Sequence, residues 1–181
     1  LLEMSVAECP DDDRNMHYLG REYYFYRRWD DAIRTLEHHL KMPTATWADE
    51  RCASMRYIAR CQAALGNRVE AKRWLWRAIG EPPHLREPYL DMAKLLYEDK
   101  DWDGLVHMCR TALRIGERPK TYICEAESWG SRPWDYLSLG LYYSHRPAEA
   151  IEAVKEAIAI SPGEQRLRDN LRLMQAAAGT E

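Results

Sequence analysis

The strongest constraint on this chain is that it repeats itself. Aligned from Asp13, Cys52, Arg86 and Ser131, four stretches carry a small residue at the eighth position: Gly20, Ala59, Ala93 and Ser138. The twentieth position is Ala32, Ala71, Leu105 and Ala150, with one departure, and the twenty-eighth is aliphatic throughout (Leu40, Ile79, Leu113, Ile158). The twenty-seventh reads His39, Ala78, Ala112 and Ala157. Small residues let the two helices of a hairpin cross closely, and the aliphatics fill the space between successive hairpins. Pro83 and Pro162 fall at the thirty-second position, with Pro43 one place early, where the chain must leave the helix. A hairpin of this kind cannot bury its apolar side alone, so it stacks on its neighbours. The expectation is an all-α helical-hairpin solenoid of four repeats plus a C-terminal capping helix.

The pattern resembles the tetratricopeptide repeat, whose ideal period is about 34 residues, and the resemblance implies that the solenoid is a right-handed superhelix. Trp29 and Trp102 at the seventeenth position, opening the second helices in RRWDDAI and KDWDGLV, fit that family too. The resemblance divides a single domain, 1–181, into an upstream-helix tail (1–12), repeats at 13–51, 52–85, 86–130 and 131–162, a capping helix (163–177) and a tail (178–181). The first and third repeats are longer than the ideal, which places extra loop residues in MPTATWADE and ERPKTYICEAESWG. In the cap, Leu167, Leu171 and Met174 form one apolar stripe. At the other end, Leu2, Ser5, Val6 and Pro10 suit the closing positions of a preceding repeat, so LLEMSVAECP reads as the tail of a second helix in a domain cut from a longer protein.

Composition narrows the function. A formal net charge of -3 offers no global attraction to nucleic acid or anionic lipid. No apolar run approaches the roughly 20 residues that cross a bilayer, and no signal peptide is visible, so a cytoplasmic location is expected. Five cysteines without CxxC spacing indicate reduced thiols and neither a disulfide framework nor a zinc site. Asp11-Asp12-Asp13 could suggest a metal, but they follow Pro10 and open a helix, where acidic side chains cap free N–H groups. His38 and His39 are adjacent on a helix, point about 100° apart, and are expected on a solvated face. No catalytic residues, metal or cofactor are expected.

What remains is a recognition surface. In the tetratricopeptide family the second, fifth, ninth and twelfth positions face a concave wall. Here they are Arg14, His17, Arg21 and Tyr24; Ala53, Arg56, Arg60 and Ala63; Glu87, Leu90, Lys94 and Tyr97; and Arg132, Asp135, Leu139 and Tyr142. The candidate binding residues are thus Arg14, His17, Arg21, Tyr24, Arg56, Arg60, Lys94, Tyr97, Arg132 and Tyr142. Guanidinium forks and tyrosine rings suit an anionic peptide or acidic protein surface, or the arginines pair with carboxylates of the next helix. Glu87 and Asp135 interrupt the basic wall and speak against nucleic acid.

A narrower resemblance runs along nearly the whole chain. DDDRNMHYLGREYYFYRRWDDAI (Asp11 to Ile33), TWADERCASMRYIARC (Thr46 to Cys61), HLREPYLDMAKLLY (His84 to Tyr97), RPKTYICEAESWG (Arg118 to Gly130) and RLRDNL (Arg166 to Leu171) are similar to the tetratricopeptide region behind the catalytic domain of some family 2, GT-A-type glycosyltransferases of bacteria and phages. It implies a non-catalytic accessory region serving acceptor recognition, packing on the enzyme's own catalytic domain, or homodimerisation. A free-standing adaptor that binds an acidic peptide or protein is the alternative.

Overall fold

The computed structural model of the chain describes residues 1–81 and 84–179; Pro83, expected to end the second hairpin, and the last two residues of the tail lie outside the described residues. Eleven helices and no strand are found among the described residues. The chain divides into two compact units, Leu1–Pro83 and His84–Glu181. The first holds α1 (Leu2–Glu8), α2 (Asp13–Phe25), α3 (Trp29–Lys41), α4 (Ala48–Ala64) and α5 (Arg68–Gly80). The second holds α6 (Glu87–Glu98), α7 (Trp102–Arg114), α8 (Ala126–Trp129), α9 (Arg132–Tyr143), α10 (Pro147–Ile160) and α11 (Gln165–Ala178).

Four helical hairpins result: α2–α3, α4–α5, α6–α7 and α9–α10. Their turns are built alike. Arg27 (φ 58°), Gly66 (φ 84°), Lys100 (φ 58°) and His145 (φ 57°) each occupy the left-handed region at the fifteenth position of their repeat. The following residue donates its N–H back across the turn, Arg28 to Tyr23, Asn67 to Gln62, Asp101 to Leu96 and Arg146 to Leu141, at 2.8–2.9 Å. This Schellman closure satisfies carbonyls that the end of the first helix would leave bare. Asp101 then accepts from the Gly104 N–H at 3.0 Å, capping α7, as Asp12 caps α2 through the Asn15 N–H at 3.0 Å.

The repeat register is the packing register. Ala59, Ala93, Ser138, Ala32, Ala71, Leu105 and Ala150 are all at most 1% exposed, and an added Cβ at Gly20 would stand 2.5 Å from the Leu36 side chain. Each hairpin lays its first helix against its second, and within a unit one hairpin leans on the next through α3 and α4, or α7 and α9. The capping helix α11 packs on α10 and buries Leu167 and Met174 completely, with Leu171 half-buried.

Neither insertion is merely loop. The last three residues of the first, Ala48 to Glu50, wind an additional turn onto α4, ahead of the Cys52 that opens the repeat pattern. Arg51 in that turn donates to the carbonyls of Leu40 (3.0 Å) and Ala45 (3.2 Å) and to Glu81 Oε1 (3.2 and 3.1 Å), tying the connection down. The second insertion contains α8 and is anchored by Glu87, whose Oε1 accepts from the Glu125 N–H and the Trp129 indole, both at 2.9 Å. Arg86 stacks over Trp129 at 4.3 Å and donates to the Ile115 carbonyl at 2.8 Å.

Candidate functional site

The sixteen positions expected on one open wall separate into two kinds. At the second and fifth positions, Ala53, Arg56, Glu87, Leu90 and Asp135 are buried, as is His17 at 1% exposure; Arg14 is exposed and Arg132 half-buried. His17 and Arg56, expected to meet a ligand, therefore lie in the interior. The reason is that first helices pack on one another, α2 on α4 and α6 on α9, so their fifth position meets protein. Asp135 shows the consequence: it is 3% exposed, and Arg166 of the cap grips it through two bonds of 3.0 and 2.7 Å. The pairing holds the Arg166 guanidinium above its ordinary basicity.

The ninth and twelfth positions stay accessible. In the first unit Arg21, Tyr24 and Arg60 are half-buried and gather around aromatic rings. Tyr24 lies 5.1 Å from Tyr57, 5.4 Å from Phe25 and 5.6 Å from Trp29, centroid to centroid. The Arg60 guanidinium stands 5.6 Å from the Tyr57 ring and that of Arg21 4.9 Å from Tyr18, and Phe25 is 61% exposed. In the second unit Lys94 is exposed, Tyr97 lies 5.9 Å from Trp102 and 5.7 Å from Tyr136, and Trp102 stacks on Tyr143 at 4.5 Å. Tyr142 meets Tyr143 edge-on at 5.3 Å, and Arg132 stands 5.8 Å from Tyr136. Tyr57, Phe25 and Tyr136 occupy no expected wall position; the density of aromatics in YYFY and in WDYLSLGLYY was the available signal for Phe25 and Tyr136, and Tyr57 had none. Some of the basic residues also meet carboxylates nearby, Arg14 with Glu50 (3.9 Å), Arg21 with Glu22 (3.8 Å) and Arg132 with Glu127 (3.4 Å).

Inside the first unit lies a polar seam. Ser54 Oγ sits between His17 Nδ1 (2.7 Å) and His39 Nδ1 (2.9 Å), and His39 Nε2 points toward Glu50 Oε1 at 3.5 Å. Burial pushes the His17 imidazole down to about 4, against the opposing pull of Glu50. The expectation of a solvated histidine pair holds for His38, which is exposed, and fails for His39, which is 0% exposed. His39 occupies the twenty-seventh position, where the other hairpins carry the buried alanines Ala78, Ala112 and Ala157.

The buried thiols are poor nucleophiles. Cys52, Cys61 and Cys109 are buried, and burial pushes Cys61 up to about 12 and Cys109 higher still, so neither forms a thiolate near neutrality. No described helix is long and apolar enough to cross a membrane.

Neither the protein-family models nor the curated proteins contain a match to this chain. Solved structures do resemble it. A tetratricopeptide-repeat-containing protein of Cytophaga hutchinsonii superposes with a TM-score of 0.76 at 14% identity, covering 99% of this chain and 64% of that one. MamA gives 0.72 at 16% identity, over 92% of this chain and 82% of its own. Cut9, solved in an APC/C hetero-tetramer with Hcn1, gives 0.72 at 12% identity over 98% of this chain, which spans only 32% of the Cut9 chain. The class is thereby defined: this chain has the tetratricopeptide-repeat fold.

Proposed function

We propose that this chain is a non-catalytic interaction module whose first unit holds an acidic, extended segment of a partner protein against α2 and α4. One observation carries the reading: Arg60 stands over Tyr57 in the ring cluster it forms with Tyr24 and the exposed Phe25, and Arg21 of the same α2 face stands over Tyr18. Guanidinium groups take carboxylates through paired donors, and flat rings supply contact area at little entropic cost. Lys94, Tyr97, Arg132 and Tyr142 give the second unit a related but separate surface. The fold agrees with such a role, since stacked hairpins present long rows of first-helix side chains. The sequence phrases shared with glycosyltransferase-associated regions favour a glycosyltransferase's acceptor or its catalytic domain as the partner.

The test is fluorescence anisotropy with a labelled peptide alternating glutamate and tyrosine. Arg21→Glu combined with Arg60→Glu is expected to weaken binding at least about tenfold, as loss of two charge-assisted contacts predicts, with helicity unchanged. Affinity should also fall with added salt. An unaltered affinity in the double variant overturns the assignment.

A further inference from the structure

We infer that the first unit contains a divalent-metal site of the zinc class, formed by Asp13 at the start of α2, His39 near the end of α3 and Glu50 in the added turn of α4. One ligand atom from each lies within 4.8 Å of the others. His39 Nε2 and Glu50 Oε1 are 3.5 Å apart, close to the roughly 3.4 Å edge of a tetrahedron with bonds of about 2.1 Å. The half-buried Asp13 carboxylate closes the remaining distance by side-chain rotation, and its open side leaves a path for the ion and a fourth position for water.

Three features make this more than a cluster of acids. The first is the histidine itself: His39 is 0% exposed, yet its Nε2 has no hydrogen-bond partner, and it is aimed at Glu50. A buried imidazole nitrogen left in that state costs free energy that coordination would recover. Second, packing does not ask for it, because alanine fills the same place in the other three hairpins. Third, Glu50 exists there only because α4 starts a turn early; α6 and α9, the other first helices that follow a hairpin, begin at Glu87 and Arg132 without such a turn.

Ser54 also holds the His39 ring in place. Ser54 has one hydroxyl proton and two imidazole neighbours, so it donates to one Nδ1 and accepts from the other. When Ser54 donates to His17, His39 carries its proton on Nδ1 and gives it to Ser54, and the Nε2 lone pair is bare for a metal. That is the orienting hydrogen bond that metal-bound histidines use. With the opposite donation the Nε2 would carry the proton, so metal binding selects the first arrangement. One nitrogen and two carboxylate oxygens, with no thiolate, suit Zn²⁺ and its spectroscopic substitute Co²⁺. Arg14, 3.9 Å from Glu50 Oε2 and 63% exposed in its side chain, is free to swing outward as the ion takes over that charge. Because the ligands come from three helices, the ion would clamp the first hairpin to the second.

The experiment is calorimetric titration of the EDTA-dialysed full chain with Zn²⁺, alongside melting with and without the ion and Co²⁺ absorption. One ion per chain with micromolar or tighter affinity, a Tm raised by about 5 °C in excess Zn²⁺, and the visible bands of tetrahedral Co²⁺ are expected. His39→Ala, which installs the residue of the other hairpins, and Glu50→Gln should each weaken binding at least about tenfold, as should Asp13→Asn. His38→Gln should leave it unchanged. No binding to the native chain, or binding that survives both His39→Ala and Glu50→Gln, overturns the site. Should His39→Ala fail to fold, Glu50→Gln and Asp13→Asn decide it alone. Peptide binding at Arg21 and Arg60 is a separate measurement, so either reading can fail without the other.

Discussion

His17 is a neutral imidazole in the interior, and that has a price in acid. Its folded value of about 4 lies below the ordinary 6.5, with desolvation opposing the charged form, His39 and Arg21 adding to that, and Glu50 pulling the other way. Between these values the unfolded chain binds a proton that the folded chain refuses, so stability falls as pH drops through 6.5 and levels off near 4. The whole loss is on the order of 3 kcal/mol, about 2 of it reached by pH 5. Urea unfolding at pH 7 and pH 5 checks this: His17→Gln should show a smaller drop between the two than the native chain. Carboxylates titrate in both proteins and cancel in the comparison. Equal drops would mean that His17 titrates as an exposed histidine does.

At the level of the element, the hairpin turns are the most regular local structures in the chain. All four need a left-handed residue, and only Gly66 meets that demand without strain. Arg27, Lys100 and His145 take it with a Cβ, at a cost of roughly 1 kcal/mol each. Lys100→Gly should therefore stabilise the protein slightly, by up to about 0.5 kcal/mol once the greater freedom of glycine in the unfolded chain is subtracted. Urea unfolding reads this directly, and a destabilised variant would show that the Lys100 side chain is doing something the backbone does not reveal. The elongated α4 is the other lesson at this scale. Asp49 and Glu50 in its first turn favour a helix start through the dipole, but MPTATW ahead of them reads as loop. The hydrogen bonds of Arg51 to the Leu40 and Ala45 carbonyls settle where the loop ends.

For the molecule as a whole, stability is a sum over neighbours, and its weak point is an uncovered end. The cap α11 closes the second unit by burying Leu167 and Met174 against it and by supplying Arg166 to the buried Asp135. A chain ending at Ser161 loses both, leaving Asp135 without that guanidinium. Removing one partner of such a pair costs several kcal/mol when both are buried; Arg166 is about half exposed, so the electrostatic share is about 1–2 kcal/mol and the apolar share adds to it. The truncated chain should melt at lower temperature and bind an apolar dye that the full chain excludes. An unchanged melt would mean that α11 is an ornament.

The repeat pattern by itself determined the helical hairpins, their crossings at Gly20, Ala59, Ala93 and Ser138, and the buried face of the cap. These follow from residue size at a fixed period, and size is written in the sequence. That Arg21, Tyr24, Lys94 and Tyr97 stay at least partly accessible was legible for the same reason. What tertiary structure alone decided was where polar side chains ended up. His17, His39, Asp135 and Arg56 look in the sequence like surface residues, because helical period says which way a side chain points and nothing about what stands opposite. Ser54, Glu50 and Arg166 are what stand opposite the first three, each brought from another helix at least eleven residues away. A buried polar group is tolerable only when such a partner arrives, so its position is a property of the packed chain.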